Sequence, residues 1–495
     1  MQSRSEDAAA LIKLEPQASP ACHFIGHRWV SGEGAPIEVR CPADGRLLGR
    51  IAAGGERDID AAVSAARAAV DGEWGRLAPA ARGRLLLQLA EHVRRDAERL
   101  AWIEAMDTGK PIGTARNDVA VLARYFEYYG GAADKMLGQV VPFDPSYSVT
   151  VIREPHGVTG HIIPWNYPVQ MFGRSVAPAL AMGNACVVKP AEDACLSILE
   201  LGALVVEAGF PAGALNIVTG YGPSAGAALA AHRGVNYLSF TGSQRVGTLV
   251  QQAAAVNSVA VCLELGGKSP QIVFADADLE RAAATVVKAI TQNAGQTCSA
   301  GSRLLVERRI FDDFMRRIAS AFEQLRIGVP ADDADLGPVI NAVQRERVQR
   351  YVEQARRDGV PVIAQTPLPA NLPAAGHFVA PVVFGPVPPS HPIAQQEVFG
   401  PVLAAFAFDD EAQALALAND TDYGLVAAVW TRDGDRAARL SKRLGAGQCF
   451  INCYGAGGGV EFPFGGMRRS GHGREKGLLA LEEMSVTKTI VHFHG

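Results

Sequence analysis

The chain has 495 residues, of which 48% are hydrophobic and 20% charged, with a net charge of −4 and a pI near 6.3. This length and apolar content suit a globular protein of two or three domains, and the charge gives neither a basic field for nucleic acid nor an acidic face for a cationic partner. The opening MQSRSEDAAALIKLEPQ lacks the basic and apolar regions of a leader, and no apolar run reaches membrane-spanning length, so a cytoplasmic protein with no membrane contact is expected.

After a short tail, helical spacing first shows in ERDIDAAVSAARAAVDG, where Ile59, Val63, Ala66 and Val70 recur on one face. RGRLLLQLAEHVRRDAERLAWIEAM and NDVAVLARYFEYYGGAADKML continue that style, so the first part of the chain is expected to be largely helical. YSVTVIREP breaks the period with strand-like residues from Tyr147 to Arg153. From Gly157 short apolar runs (GVTGHII, NACVVKP, ALNIVTG, NYLSFTG, SVAVCLELGG) alternate with amphipathic helices, the pattern of a parallel sheet covered on both faces. A second alternating series runs from PQIVFADADLERAAATVVKAI through GQCFIN, so a second α/β domain is expected just after Glu264 and the glycines that follow Leu265. The tail SVTKTIVHFHG alternates polar and apolar and reads as a terminal strand, suited to pair with SVTVIR or with another subunit.

The eight cysteines are scattered, so reduced thiols are expected rather than a disulfide framework. Cys449 and Cys453, with His472 beyond, lack a fourth ligand at zinc-site spacing, and no metal is expected.

Several short segments have the residue types that chemistry needs. TGYGPSAG offers Gly220, Gly222 and Gly226 at a spacing one residue longer than the usual dinucleotide fingerprint, and SFTGSQRVG places Gly242 and Ser243 where a strand turns into a helix. Each loop, taken alone, reads equally well as an ordinary turn. Lys189 and Glu192 of VVKPAED suit the hydroxyls of a nucleotide ribose or a solvated charge pair. Glu264 ends an apolar strand in LELGGKSP, as a half-buried general base would, although most lone glutamates are surface residues. Asn166, between Trp165 and Tyr167, is a candidate donor to a developing oxyanion. In NAGQTCSAGS, Cys298 lies among Gly295, Thr297, Ser299 and Gly301, small neighbours that admit a substrate to a nucleophilic sulfur and that equally surround a buried filler.

In order and spacing, PWNYP, KPAE, FTGS, LELGGKSP, GQTCSAGSR, EVFGPV and PFGG followed by SGHGRE resemble the aldehyde dehydrogenase superfamily over nearly the whole chain. The resemblance implies that Cys298 is the thiolate that attacks an aldehyde carbonyl. Asn166 and the Cys298 backbone N–H form the oxyanion hole, and Glu264 activates the water that hydrolyses the thioester. It implies NAD as cofactor, held by Ile163, Pro164, Trp165, Lys189, Glu192, Gly222, Phe240, Gly242, Ser243, Leu265, Glu397 and Phe399. A carboxylate at Glu192 favours NAD over its 2′-phosphorylated form. Tyr167, Met171, Arg174, Thr297, Ser299 and Phe464 would line the substrate tunnel.

Two departures stand out. Many members carry a Trp-Lys pair where this chain has Arg174 and Ser175, which puts in doubt the lysine's proton relay with the glutamate at Glu475. An arginine at Arg174 resembles succinate-semialdehyde dehydrogenases, where it holds a substrate carboxylate; a solvent-facing Arg174 is the other reading. Phe464 replaces a tryptophan frequent in betaine-aldehyde enzymes, which weakens a quaternary-ammonium cage. The glycine-rich NCYGAGGGVEF implies a roomy mouth suited to an aromatic or bulky aliphatic aldehyde.

The implied architecture is α/β: a Rossmann-like NAD-binding domain (1–136 and 156–264), a catalytic α/β domain (265–483) and a small β oligomerisation module (137–155 and 484–495), in a homodimer or homotetramer. Alternatives are a non-catalytic protein that keeps the fold, a CoA-acylating enzyme, which would be expected to lack Glu264, and a cysteine hydrolase, which leaves the dinucleotide loops without purpose.

Overall fold

Five apolar strands, Val158–Ile163, Ala185–Pro190, Leu215–Ile217, Tyr237–Thr241 and Ala260–Glu264, run parallel in the centre of an eight-stranded sheet. The structure is a computed structural model that describes residues 21–32, 34–455 and 459–495. The absent-leader reading and residues 456–458 of the glycine-rich segment lie outside the described residues. Helices Pro168–Met182, Leu196–Glu207 and Gln244–Ala255 supply crossovers between these strands, covering them so that the strands need no polar face.

In space the five parallel strands are ordered 260–264, 237–241, 158–163, 185–190, 215–217. The chain thus starts in the middle, winds one way, then returns to wind the other. The switch point lies between Val158–Ile163 and Tyr237–Thr241, where the loops leaving the two strands part and open a crevice.

The second sheet has seven strands, in the order Val362–Gln365, Val382–Phe384, Val402–Phe408, Arg303–Glu307, Pro270–Val273, Val426–Trp430 and Gln448–Ile451. All neighbours are parallel except the first pair. Apolar clusters pack on both of its faces, one around Phe384 and Phe406 and the other around Phe314, Phe322 and Trp430.

Helix Glu56–Asp71 buries Ile59, Ala62, Val63, Ala66 and Ala69, as its period predicts, and long helices Pro79–Arg95, Ala97–Thr108 and Ile112–Ala132 follow. The largely helical reading of the first part needs correction before Glu56. Cys22–Ile25, Arg28–Ser31, Ile37–Arg40 and Leu47–Ile51 are short strands. The first two extend the edge of the eight-stranded sheet and the others form their own ribbon, and none is long enough for its alternation to stand out in the sequence.

The terminal strand Ser485–Phe493 pairs antiparallel with Tyr147–Pro155 through nine matched residues, and Gln139–Val141 completes a three-stranded sheet. Among the described residues no helix is long and apolar enough to cross a membrane.

Candidate active site

The switch-point crevice is closed from the other side by the amino ends of the second sheet. Val426 and Gln448, the first residues of two strands there, share with Pro164, Trp165, Thr241, Gly242 and Glu264 the lining of one cavity of about 960 Å³. Cys298, Asn166 and Glu264 all open into it, together with Tyr167, Met171, Arg174, Thr297, Ser299 and Phe464.

Cys298 lies on the loop between helix Leu279–Thr291 and strand Arg303–Glu307. The approach to it is strained: Asn293, Ala294 and Gly295 all have positive φ, at 47°, 52° and 74°. Neighbouring residues fix the turn. Gln296 N and Nε2 both donate to Asn293 O (3.0 Å each), and Gln296 Oε1 accepts from Ile340 N at 2.9 Å. Tyrosines brace both flanks of the nucleophile, Tyr167 Oη lying 2.9 Å from Thr297 Oγ1 and Tyr454 Oη donating to Ser299 O at 2.6 Å. Burial pushes the thiol up to about 12, with Arg174 pulling it down and Glu264 and Glu397 pushing it further up.

Asn166 is held at both ends. Its Nδ2 donates one proton to Gln296 O at 2.9 Å, leaving the second N–H for an oxyanion, and its backbone carbonyl accepts from Asn293 Nδ2 at 2.9 Å and Lys110 Nζ at 3.1 Å. Lys110 is fully buried between Asp118 (2.5 Å) and Glu104 (3.3 Å).

Arg174 is not solvent-facing. It is 4% exposed, its guanidinium stacks 4.1 Å from the Phe464 ring centroid, Nη2 lies 3.1 Å from Glu264 Oε2, and Nε pairs with Glu475 Oε2. The solvent-facing alternative is thereby overturned, and a substrate carboxylate would have to compete with two resident ones. Burial lifts Glu264 to about 8, with Arg174 opposing the rise and Glu475 adding to it, which puts this carboxyl in the range of a general base near neutral pH.

Of the residues expected to hold the dinucleotide, Pro164, Trp165, Gly242, Ser243, Glu397 and Phe399 line the cavity. Ile163, Lys189, Glu192, Gly222, Phe240 and Leu265 do not. Ile163, Phe240 and Leu265 are buried. Lys189 ends its strand on the crevice side, pairs with Glu192 at 2.8 Å and lies beside Gly226. The crevice fits a dinucleotide on two counts. Gly242 and Ser243 lead into the amino end of the twelve-residue helix Gln244–Ala255, whose free N–H groups suit phosphate. Half-buried Glu397, pushed up to about 7 by desolvation, accepts from Gly267 N at 3.1 Å and packs so tightly on Gly266 that a Cβ there would lie 2.2 Å from it.

Lys110, Gln296, Ser239, His161 and Tyr454 also shape the site, and none is expected to from the sequence, although Gln296, Ser239 and Tyr454 lie inside segments singled out above. For His161 in GVTGHII and Ser239 in NYLSFTG the sequence signal is polarity inside an otherwise apolar strand, whereas Lys110, Gln296 and Tyr454 lie on loops.

Comparison with known proteins agrees with this geometry. The aldehyde dehydrogenase family model matches residues 29–490. Human retinal dehydrogenase 2 is 42% identical over 501 residues, covering 98% of this chain and 96% of that protein. A solved structure from Burkholderia cenocepacia, assigned to the aldehyde dehydrogenases, is 58% identical, with a TM-score of 0.95 over 96% of this chain and 100% of the other. The P. syringae indole-3-acetaldehyde dehydrogenase, solved as a cysteine-to-alanine mutant with NAD+ and IAA, is 37% identical, with a TM-score of 0.95 over 99% of each chain. The chain belongs to the aldehyde dehydrogenase family, has its fold, and is an NAD-dependent aldehyde dehydrogenase.

Proposed function

We propose that the enzyme oxidises an uncharged aromatic or bulky aliphatic aldehyde to its carboxylic acid through a covalent thioester on Cys298. The observation that carries this reading is the convergence of Cys298, Asn166 and Glu264 on one cavity in which Arg174, the arginine beside Glu264, is already committed to Glu264 and Glu475. The cavity lining includes the apolar and aromatic side chains Tyr125, Met171, Phe450, Tyr454, Phe462 and Phe464, with Lys476 over the rings of Phe462 and Phe464.

In this mechanism the Cys298 thiol passes its proton to the Glu264 carboxylate, which returns it to solvent before hydrolysis, as the sulfur adds to the carbonyl carbon, and the oxyanion takes hydrogen bonds from the Cys298 N–H and the spare N–H of Asn166. NAD, when bound, would supply the hydride acceptor. After hydride loss the acyl group remains as a thioester. Glu264 takes a proton from water, the resulting hydroxide equivalent attacks the acyl carbon, and the C–S bond breaks to return the thiolate. Glu397 and Phe399 are assigned to the nicotinamide end, and Gly242 and Ser243 to the pyrophosphate. Lys189 and Glu192 are assigned to the adenosine ribose, with Ile163, Pro164, Trp165, Gly222, Phe240 and Leu265 forming the surrounding wall.

On this reading residues 1–136 and 156–264 serve NAD binding, 265–483 catalysis, and 137–155 with 484–495 the joining of subunits into a cytoplasmic dimer or tetramer. The test follows NADH absorbance with benzaldehyde, a medium-chain aliphatic aldehyde, betaine aldehyde and succinate semialdehyde, in wild type and Cys298→Ala. Turnover of the first two that vanishes in the variant supports the proposal. Preference for succinate semialdehyde would return Arg174 to the role of carboxylate anchor, and no NADH with any of the four would sink the mechanism.

A further inference from the structure

The region around Arg174 has one guanidinium and two carboxylates, and the second carboxylate has its own support. Ser239 Oγ donates to Glu475 Oε1 at 3.1 Å, and Ser175 Oγ donates to Ser239 Oγ at 2.9 Å. With its proton so used, Ser175 can only accept from His161 Nδ1, 2.6 Å away, and His161 Nε2 then accepts from Thr159 Oγ1 at 2.8 Å. This is the neutral Nδ1–H tautomer, consistent with burial holding the imidazole down to about 3.

Every donor in the chain therefore points toward Glu475. Strand alternation explains the arrangement: Thr159 and His161 face the same side of Val158–Ile163, Ser239 is the register partner of His161, and helix Pro168–Met182 brings Ser175 against them. Glu264, in contrast, has no well-aligned hydrogen bond on either oxygen among the described residues, and Arg174 is the cation closest to it.

We propose that Arg174 is a positioning residue for the hydrolytic half of the reaction. Its guanidinium holds the Glu264 carboxylate at the Cys298 cavity, and Glu475, oriented by the Thr159, His161, Ser175 and Ser239 chain, competes for that guanidinium and sets the strength of the hold. The inference rests on the proposed role of Glu264 as base. The groups that act on Glu264 are Arg174 and Arg474, which favour its charged form, and Glu475, which opposes it; Cys298, Cys262 and Lys476 are further ionisable neighbours, as is Tyr125 beside Arg174 and Glu475.

The sign of each effect follows. Losing Arg174 disfavours the carboxylate, so the rate of thioester hydrolysis rises only at higher pH. Losing the Glu475 charge does the opposite and also frees the guanidinium for Glu264.

The experiment measures decay of the acid-quenched acyl-enzyme after one turnover between pH 6 and 10, with whichever aldehyde gives Cys298-dependent NADH, in wild type, Arg174→Gln, Arg174→Lys, Ser239→Ala and Glu475→Gln. In Arg174→Gln the ascending limb should move up by a unit or more, slowing hydrolysis at pH 7 by about tenfold or more; the NADH burst, read separately, should slow as well, because Arg174 also pulls the Cys298 thiol down. Arg174→Lys should recover much of the loss, Glu475→Gln should shift the limb down, and Ser239→Ala, which takes a donor from the Glu475 carboxylate, should shift it down by less. An unmoved limb, or shifts of the same sign in the Arg174→Gln and Glu475→Gln proteins, would overturn the proposal. If Arg174→Gln does not fold, downward shifts in both Glu475→Gln and Ser239→Ala, the second smaller, decide it, and an upward or absent shift in Glu475→Gln would overturn it. Absence of any acyl-enzyme in the wild type would instead defeat the thioester reading itself.

Discussion

Lys110 Nζ donates to the backbone carbonyl of Asn166 from a site with no solvent access, so the proposed oxyanion donor rests on a buried ammonium. Removing that charge strands Glu104 and Asp118, both fully buried. Lys110→Met should lower folding stability by about 3–5 kcal/mol, measured by denaturant unfolding. In the protein that remains folded, acyl-enzyme formation should slow more than NAD binding weakens.

Asn166→Ala removes the donor and leaves Gln296 O without that partner. The rate of acyl-enzyme formation should fall about 10²–10³-fold, the usual effect of deleting one oxyanion donor. Stopped-flow NADH formation checks this, and unchanged NAD affinity by fluorescence titration would place the loss in the chemical step.

Gly295 has φ +74°, and a Cβ there would lie 2.2 Å from the backbone of Gly400. Gly295→Ala therefore meets both a left-handed backbone and a neighbour that is main chain and cannot swing away. A lowered melting temperature together with loss of the NADH burst is expected, because the residues displaced are those that aim Cys298.

His161 stays neutral in the fold down to about pH 3, whereas an exposed imidazole takes up a proton near 6.5. Between those values the unfolded chain binds a proton that the native chain refuses. This group's contribution is fully present above pH 6.5 and is lost as pH falls toward 3, at up to about 1.4 kcal/mol per pH unit. His161→Asn offers Ser175 an amide donor without the titration, so its melting temperature should fall less steeply over that range than the wild type's.

Much of the fold is legible in the sequence because parallel strands buried on both faces read as short apolar runs, as NACVVKP and NYLSFTG do. The same is true of the three residues proposed for catalysis, each of which occupies a recognisable segment. The four short strands before Glu56 are not legible, since alternation over four or five residues is too brief to show a period. The partners of Arg174 are also beyond sequence reasoning. Glu264 and Glu475 are separated by more than two hundred residues and meet only because strand Ala260–Glu264 pairs on its far side with Gly471–His472. A lone arginine on a helix gives no sign of whether it awaits a substrate or already has two carboxylates.

The nine-residue pairing of Ser485–Phe493 with Tyr147–Pro155 also orders events in time as the protein is made. Tyr147–Pro155 emerges early, and its partner is the last strand in the chain. At about 5–20 residues per second the gap lasts roughly 20–70 s, during which that strand has one unpaired edge. Arg153 and Glu154, charged and later bonded to Glu482 and Lys488, lie on the waiting strand. Such charges hinder pairing with a stray strand from another nascent chain. A variant cut back before Ser485 would keep Tyr147–Pro155 with that edge still open.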